Sequence, residues 1–256
     1  MKTSADIYFN PATAVLIVFA LGLAFLSGCA TSKQSVGVPP TPAPEAKLPA
    51  AGSPERLAEY EELKGEKKSC TASWYGREFH GKPTASGETY NMFALTCAHR
   101  DYPLGTKLKV SNPSNGSEVD CIVNDRGPFV EGRDLDLSYA AAKRIGLIGP
   151  GVAPVDIEPV GRYTRYVREV KYGRLEGSTV TIQVGSFKDE SNARRLKQGL
   201  EFHYGNVYIM KIAIGKVNYH RVRIGKFKNS DEALKLADTL AKEGYSVMIT
   251  KFEQQI

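Results

Sequence analysis

Hydrophobic and polar positions divide the chain into stretches of different rhythm. Residues 12–26 are almost unbroken apolar, a run of about fifteen, shorter than the roughly 20 that a bilayer-spanning helix needs. Residues 30–53 carry few large apolar groups and are rich in Pro, Ala and Ser, with Pro39, Pro40, Pro42, Pro44 and Pro49 among them. Such a segment cannot bury enough surface to offset the entropy of ordering it, so it is expected to be an extended tether. The charged stretch 54–68 predicts a short solvated helix. Between Cys70 and Val160, short β-type runs (71–75, 107–110, 119–123) are separated by Gly, Pro and Asn turns, the clearest at 112–116. One helix stands out there, with Ser138 as N-cap, Tyr139 to Ile145 as its body and Gly146 as its stop. From Thr179 onward the pattern repeats at an offset of forty residues: 182–188 aligns with 222–228, and Ala193, Leu196 and Leu200 align with Ala233, Leu236 and Leu240 at helical spacing. Val207 and Ile209 align with Val247 and Ile249 at strand spacing. Each copy therefore reads as strand, helix, strand, and neither could bury its apolar face alone. Together they predict one small sheet with both helices on one face and the other face open.

These rhythms partition the chain into residues 1–28 (leader), 29–69 (tether), 70–160 (a mainly β barrel), 161–178 (a basic linker with Arg162, Arg165, Arg168, Lys171 and Arg174) and 179–256 (a small α+β module, βαβ-βαβ). The length of 256 residues suffices for two modest domains. The leader ends in Leu26-Ser27-Gly28-Cys29, which resembles the bacterial lipobox, where the cysteine is acylated after cleavage. Ala30 rather than an aspartate follows, and the resemblance then implies an outer-membrane anchor on Cys29 with the chain facing the periplasm. An exported chain meets an oxidising compartment, so one disulfide is expected among Cys70, Cys97 and Cys121, with three pairings open. Cys97 with His99 lacks the paired spacing of a metal site, and no metal or other cofactor is expected. The net charge of +6 suits an acidic polymer, while the compartment excludes nucleic acid as a partner.

The densest polar cluster lies between Trp74 and Asp136. Glu88 follows Thr84-Ala85-Ser86-Gly87, His99 follows Leu95-Thr96-Cys97-Ala98, and Asp125 sits in Val123-Asn124-Asp125-Arg126-Gly127-Pro128. Two carboxyls and an imidazole near turns and strand ends are the parts of an acid/base site, and cleaving a glycosidic bond needs a proton for the leaving oxygen. The same residues also admit plainer roles: Asp125 in an ion pair with Arg126, Glu88 on a surface turn, His99 as a structural imidazole. Trp74 and Tyr75 are candidates to stack on sugar rings or to fill the barrel. Thr84, Ser86 and Asn124 are candidate hydrogen-bonding groups or turn formers, and Asp136 is expected to cap the helix.

The segments 72–76, 79–81, 84–88, 98–99, 124–128 and 136–138, taken in order, resemble the rare lipoprotein A family. That family consists of double-psi β-barrel lipoproteins with lytic transglycosylases of the division septum among them. The C-terminal repeat is similar to the SPOR module, which binds glycan strands stripped of their stem peptides. The resemblance implies catalysis by Asp125, Glu88 and His99, peptidoglycan strands as substrate, products ending in 1,6-anhydromuramic acid, septal enrichment, and division proteins as further partners. It places Asp125 as the acid with Glu88 and His99 positioning it or acting as base; because Arg126 would favour the charged carboxylate, the reverse assignment, Glu88 as acid, stays open. Cys97 and Cys121 depart from the family pattern, and their pairing would brace the two strands that carry His99 and Asp125. In the module, Gln183, Ser186 and Arg223 match binding-strand motifs, with Gln183 and Arg223 expected on the open face by strand alternation. Two other function classes fit the same folds: an expansin-like protein that binds and loosens polysaccharide without cutting it, and a hydrolase that uses water as nucleophile.

Overall fold

The β-type runs between Cys70 and Val160 become the strands of a sheet that closes on itself. The computed structural model describes residues 60–173 and 179–253, so the leader, Cys29, most of the tether and part of the basic stretch lie outside the described residues. In chain order the first strands are β1 (Tyr60–Glu61), β2 (Lys68–Trp74), β3 (Thr96–His99), β4 (Thr106–Ser111), β5 (Glu118–Asp125), β6 (Leu135–Leu137) and β7 (Ala153–Tyr163), with helix α1 (Tyr139–Arg144) between β6 and β7. Their order is β1-β7-β2-β6-β3-β5-β4, and β4 pairs back onto β7. Six strands thus form a closed mixed barrel, the double-psi class of fold, with β1 added at the edge of β7. The β2–β6 and β3–β5 pairs are parallel, while β3–β6, β4–β5 and β4–β7 are antiparallel.

Strand β4 shows how the sequence writes this barrel. Thr106, Leu108 and Val110 are buried, and Lys107, Lys109 and Ser111 alternate with them toward solvent. The inward set joins Ala72, Cys121, Val123, Leu135, Leu137 and Val155, each inaccessible to solvent, in one core. Cys97 of β3 and Cys121 of β5 form a disulfide within that core. Closing this loop removes freedom from the unfolded chain as well as linking two strands of the site. Cys70 remains a thiol, and burial pushes it up to about 12.

Two expectations change. The stretch 54–68 is not helical where it is described: Tyr60–Glu61 is a strand paired with Tyr163 and Arg162. The Tyr60 ring meets Tyr163 edge-on at 5.2 Å and its hydroxyl donates to the Val160 carbonyl, so tertiary contacts outweigh the local charge pattern. Asp136 does not cap α1. Ser138 does, accepting from the Ala141 N–H at 3.1 Å, while the Asp136 carboxylate accepts from the Ser73 hydroxyl.

Beyond β7 come a 3-10 turn (Thr164–Tyr166) and then β8 (Lys171–Tyr172), β9 (Val180–Phe187), α2 (Glu190–Glu201), β10 (Val207–Ile214), β11 (Val217–Phe227), α3 (Ser230–Lys242) and β12 (Met248–Lys251). The second sheet has the order β10-β11-β9-β12-β8. Asp189 and Asn229 cap α2 and α3 at equivalent points of the two copies. Leu196 and Leu200 of α2 and Ala237 and Leu240 of α3 bury against Ile182, Val222 and Ile224 of the sheet. The repeat thus closes one core from two incomplete halves, as the spacing of its apolar residues requires.

Candidate functional site

The site begins with an irregularity in β5. Its side chains alternate in and out from Glu118 to Val123, and then Asn124 is buried as well. Against the parallel strand β3, Cys97 pairs with Val123 and Ala98 with Asp125, so Asn124 is an extra residue in the ladder. Such a bulge re-aims side chains and is common next to active sites. Here it sends Asn124 toward Glu88 and Asp125 toward the turn that precedes Glu88.

That turn is built by its own residues. The Thr84 N–H donates to the Glu88 carbonyl at 2.8 Å and the Gly87 N–H to the Thr84 carbonyl at 3.0 Å. Gly87 has φ of +87°, a conformation that glycine adopts without strain. The hydroxyls of Thr84 and Ser86 lie 3.0 Å apart and both residues are buried, so they hold the turn from within. The Ser86 N–H donates to the Asn124 carbonyl at 3.1 Å, which ties the turn to the bulge.

The carboxyl of Asp125 is fixed by two backbone donors: Oδ1 accepts from the N–H of Ala85 and of Arg126, each at 2.8 Å. Burial raises its pKa above the ordinary carboxylate range, and the two backbone donors, Arg195 and Arg126 oppose that rise only in part. Arg126 contributes little because its guanidinium is engaged elsewhere. It donates to the Tyr245 hydroxyl at 2.6 Å and to the Tyr102 carbonyl at 2.9 Å, with the Tyr245 ring beneath it. Glu88 is half-buried, and both of its oxygens accept: Oε2 from the Asn124 amide at 3.0 Å and Oε1 from the Tyr166 phenol at 2.8 Å.

His99 stands apart from this pair. Its Nδ1 accepts from the N–H groups of Asp101 and Tyr102 at 3.0 and 3.3 Å, and among the described residues no hydrogen bond joins it to Asp125 or Glu88. Burial lowers its pKa to about 4. A histidine kept neutral in the fold stabilises it above the unfolded value of about 6.5, and that contribution is lost as pH falls toward 4. The loss amounts to about 3 kcal/mol. His99→Asn, whose side-chain oxygen can accept from the Asp101 N–H, is expected to be flatter across this window. Chemical denaturation at pH 7 and pH 4 reads the difference, and an equal gap between the two proteins at both pH values would contradict it.

Trp74 ends β2 half-buried, its ring edge-on to Tyr139 at 5.9 Å. Tyr75 packs against Phe79 and Tyr90, and its buried hydroxyl finds no partner among the described residues. In the second sheet Gln183 and Arg223 face each other across β9 and β11. Arg223 is 1% exposed and paired with Glu253 at 3.2 Å, Gln183 is half-buried, and Ser186 is exposed. Ser186 lines a cavity of about 460 Å³ together with the turn at residues 83–87. Asp125 borders a smaller cavity beside it, whose other walls include Asn192 and Arg195 of α2. The Arg195 guanidinium donates to the Pro83 carbonyl at 3.2 Å. No motif in the sequence marks Tyr166 or Arg195 as part of the site. The only local sign of Tyr166 is an aromatic residue within an arginine-rich stretch.

Residues 67–157, which hold the barrel up to the middle of β7, match the family described as "Lytic transglycolase", and residues 176–251 match the SPOR domain. A double-psi barrel with a carboxyl pair at its rim, joined to a SPOR module, defines the class: a peptidoglycan lytic transglycosylase. The chain is 37% identical over 201 residues to the endolytic peptidoglycan transglycosylase RlpA of Campylobacter jejuni, covering 72% of each chain. With the protein of the same name from Vibrio cholerae it shares 38% over 190 residues, 73% of this chain and 70% of that one. The chain belongs to the RlpA family of endolytic peptidoglycan transglycosylases. The crystal structure of the RlpA SPOR domain from Pseudomonas aeruginosa is similar at 25% identity with a TM-score of 0.25, covering 28% of this chain and 99% of that one.

Proposed function

We propose that the chain cleaves the glycan strands of peptidoglycan by transglycosylation, with Asp125 as acid and Glu88 as base. Asp125 gives its proton to the glycosidic oxygen as the bond to the anomeric carbon of muramic acid breaks. The 6-hydroxyl of the same muramic acid attacks that carbon and gives its proton to Glu88. The product ends in a 1,6-anhydro ring, and no water is consumed. The observation that carries this division of roles is the partial burial of Asp125 at the bulge, which favours its protonated form, with Arg126 turned away toward Tyr245. Glu88 accepts at both oxygens, an arrangement suited to receiving a proton rather than giving one. His99 then acts on the fold around Arg126, whose Nη1 donates to the His99 carbonyl at 3.4 Å.

The preferred substrate is a strand lacking stem peptides, gathered by the SPOR module through Gln183 and Ser186; Arg223, expected on the open face, is instead buried and paired with Glu253, so it supports that surface from beneath. Trp74 and Tyr75 on the barrel stack against sugar rings. The test is mass spectrometry of peptide-free strands after incubation with the soluble chain from Ala30. Anhydro ends support the reading, and reducing ends indicate a hydrolase. No products with strand binding retained would indicate an expansin-like binder.

The finer address is part of the same proposal. Cys29 carries the lipid that holds the chain on the periplasmic face of the outer membrane, and the module concentrates the enzyme at the septum among division proteins. Cys29→Ala is expected to abolish labelling by a palmitate analogue and to release the chain from the membrane fraction. Retention of the label would place the anchor elsewhere.

A further inference from the structure

Tyr166 lies beyond the residues that match the lytic transglycolase family, which end at 157. Its phenol nevertheless reaches Glu88, 78 positions away in sequence, and donates to Oε1 at 2.8 Å. The residue is 3% exposed. A buried hydroxyl is costly unless it is hydrogen-bonded, and the partner this one has found is a carboxylate of the site.

The surroundings hold the ring in one place. The Val167 N–H donates to the Thr164 carbonyl at 2.8 Å, closing the 3-10 turn, and the Arg168 N–H donates to the Ala241 carbonyl at 2.9 Å. The ring lies directly on Gly105, whose φ is +90°, and a Cβ at that position would approach the Tyr166 ring to 2.6 Å. Gly105 is itself tied to its neighbours, donating to the Val123 carbonyl at 2.7 Å and accepting from the Tyr163 N–H at 3.0 Å. The Arg165 guanidinium sits 5.3 Å from the ring centre. A phenylalanine would fill the same space, so what tyrosine adds is the hydroxyl and its bond to Glu88.

We infer that Tyr166 is a positioning residue for strand cleavage: its phenol and the Asn124 amide hold the two oxygens of Glu88 in the orientation that receives the proton of the muramic 6-hydroxyl. The inference rests on the base role proposed for Glu88. Each donor fixes one oxygen, so removing either frees the carboxylate to rotate without changing strand binding.

Tyr166→Phe in the soluble chain from Ala30, assayed on peptide-free strands, is expected to lower kcat about 10- to 100-fold with KM within about twofold. In the Glu88→Gln background the same change is expected to cost no more than about threefold, because the group it positions is already disabled. An unchanged kcat would overturn the inference, as would a full loss in the Glu88→Gln background. A rise in KM together with a lower melting temperature would make the role structural and overturn it too. A readout independent of turnover is the Cζ resonance of Tyr166 in ¹³C-tyrosine-labelled protein, assigned by its loss in Tyr166→Phe. It is expected to shift in Glu88→Ala, and an unmoved resonance would refute the pairing. If the wild-type chain yields no anhydro ends, the cleavage reading fails separately, and the resonance alone decides whether Tyr166 holds Glu88.

Discussion

Asp125→Asn is expected to slow strand cleavage about a thousandfold while leaving fold and strand binding intact. The substitution keeps the shape of the side chain. Its Oδ1 can still accept from the Ala85 and Arg126 N–H groups, so the bulge and the turn retain their link. What disappears is the proton that the leaving oxygen requires. Stability carries a second, opposite signature. The raised pKa of Asp125 means that the folded state binds this proton more tightly than the unfolded chain does. Its contribution is therefore favourable in acid, below the unfolded value, and is lost as pH rises through the folded value. At neutral pH the carboxylate is a cost, so Asp125→Asn is expected to melt higher than wild type there, with the gap closing as pH falls. Mass spectrometry of the products reads the first effect and melting curves from pH 7 to pH 4 read the second. Cleavage within tenfold of wild type would remove Asp125 as the acid. A variant that melts lower at pH 7 would contradict the account of its burial.

The parts of this molecule that follow local rules were legible in the sequence. Alternation in β4, the Ser138 cap and the forty-residue repeat each need only a few neighbouring residues to be recognised, and each appears in the structure. Glu88, His99 and Asp125 were singled out by composition and motif, yet their mutual geometry was not. The bulge at Asn124 depends on which residue of β3 faces which residue of β5, a register set by the whole barrel rather than by the five residues around it. The same holds for β1, where a charged stretch suggestive of helix is taken by the free edge of β7. Arg126 was readable as a neighbour of Asp125 in sequence, but its guanidinium bonds to Tyr245, 119 positions away.

The second module also enters the surroundings of the acid. Asn192 and Arg195 of α2 wall the small cavity that Asp125 borders, and Gly199 packs against the Cβ side of Arg126, where a methyl group would come within 2.9 Å. The burial that raises Asp125 is therefore shared between the barrel and a helix that the repeat pattern assigned only to sheet packing. A desolvated carboxyl depends on everything that excludes water from it, and two separate apolar patterns cannot display that dependence.

Glu88→Gln is expected to lower the cleavage rate by about 100- to 1,000-fold. Glutamine matches the side chain in length, and the existing donors can accommodate it. Its carbonyl oxygen can take the Asn124 amide, while its NH₂ can donate to the Tyr166 hydroxyl once that hydroxyl turns to accept. The turn at residues 84–87 depends on Thr84 and Ser86 rather than on the carboxylate, so the fold and the melting temperature are expected to change little. The lost function is the ability to receive a proton from the attacking 6-hydroxyl. Glu88→Asp provides the contrasting case: it keeps the charge but is one methylene too short to meet both donors, so its loss is expected to be nearer tenfold and to arise from misplacement. Initial rates on peptide-free strands separate the three proteins. A glutamine variant as fast as the aspartate variant would mean that Glu88 works by shape alone, leaving the proton to be taken by the Asp125 carboxylate once it has protonated the leaving oxygen.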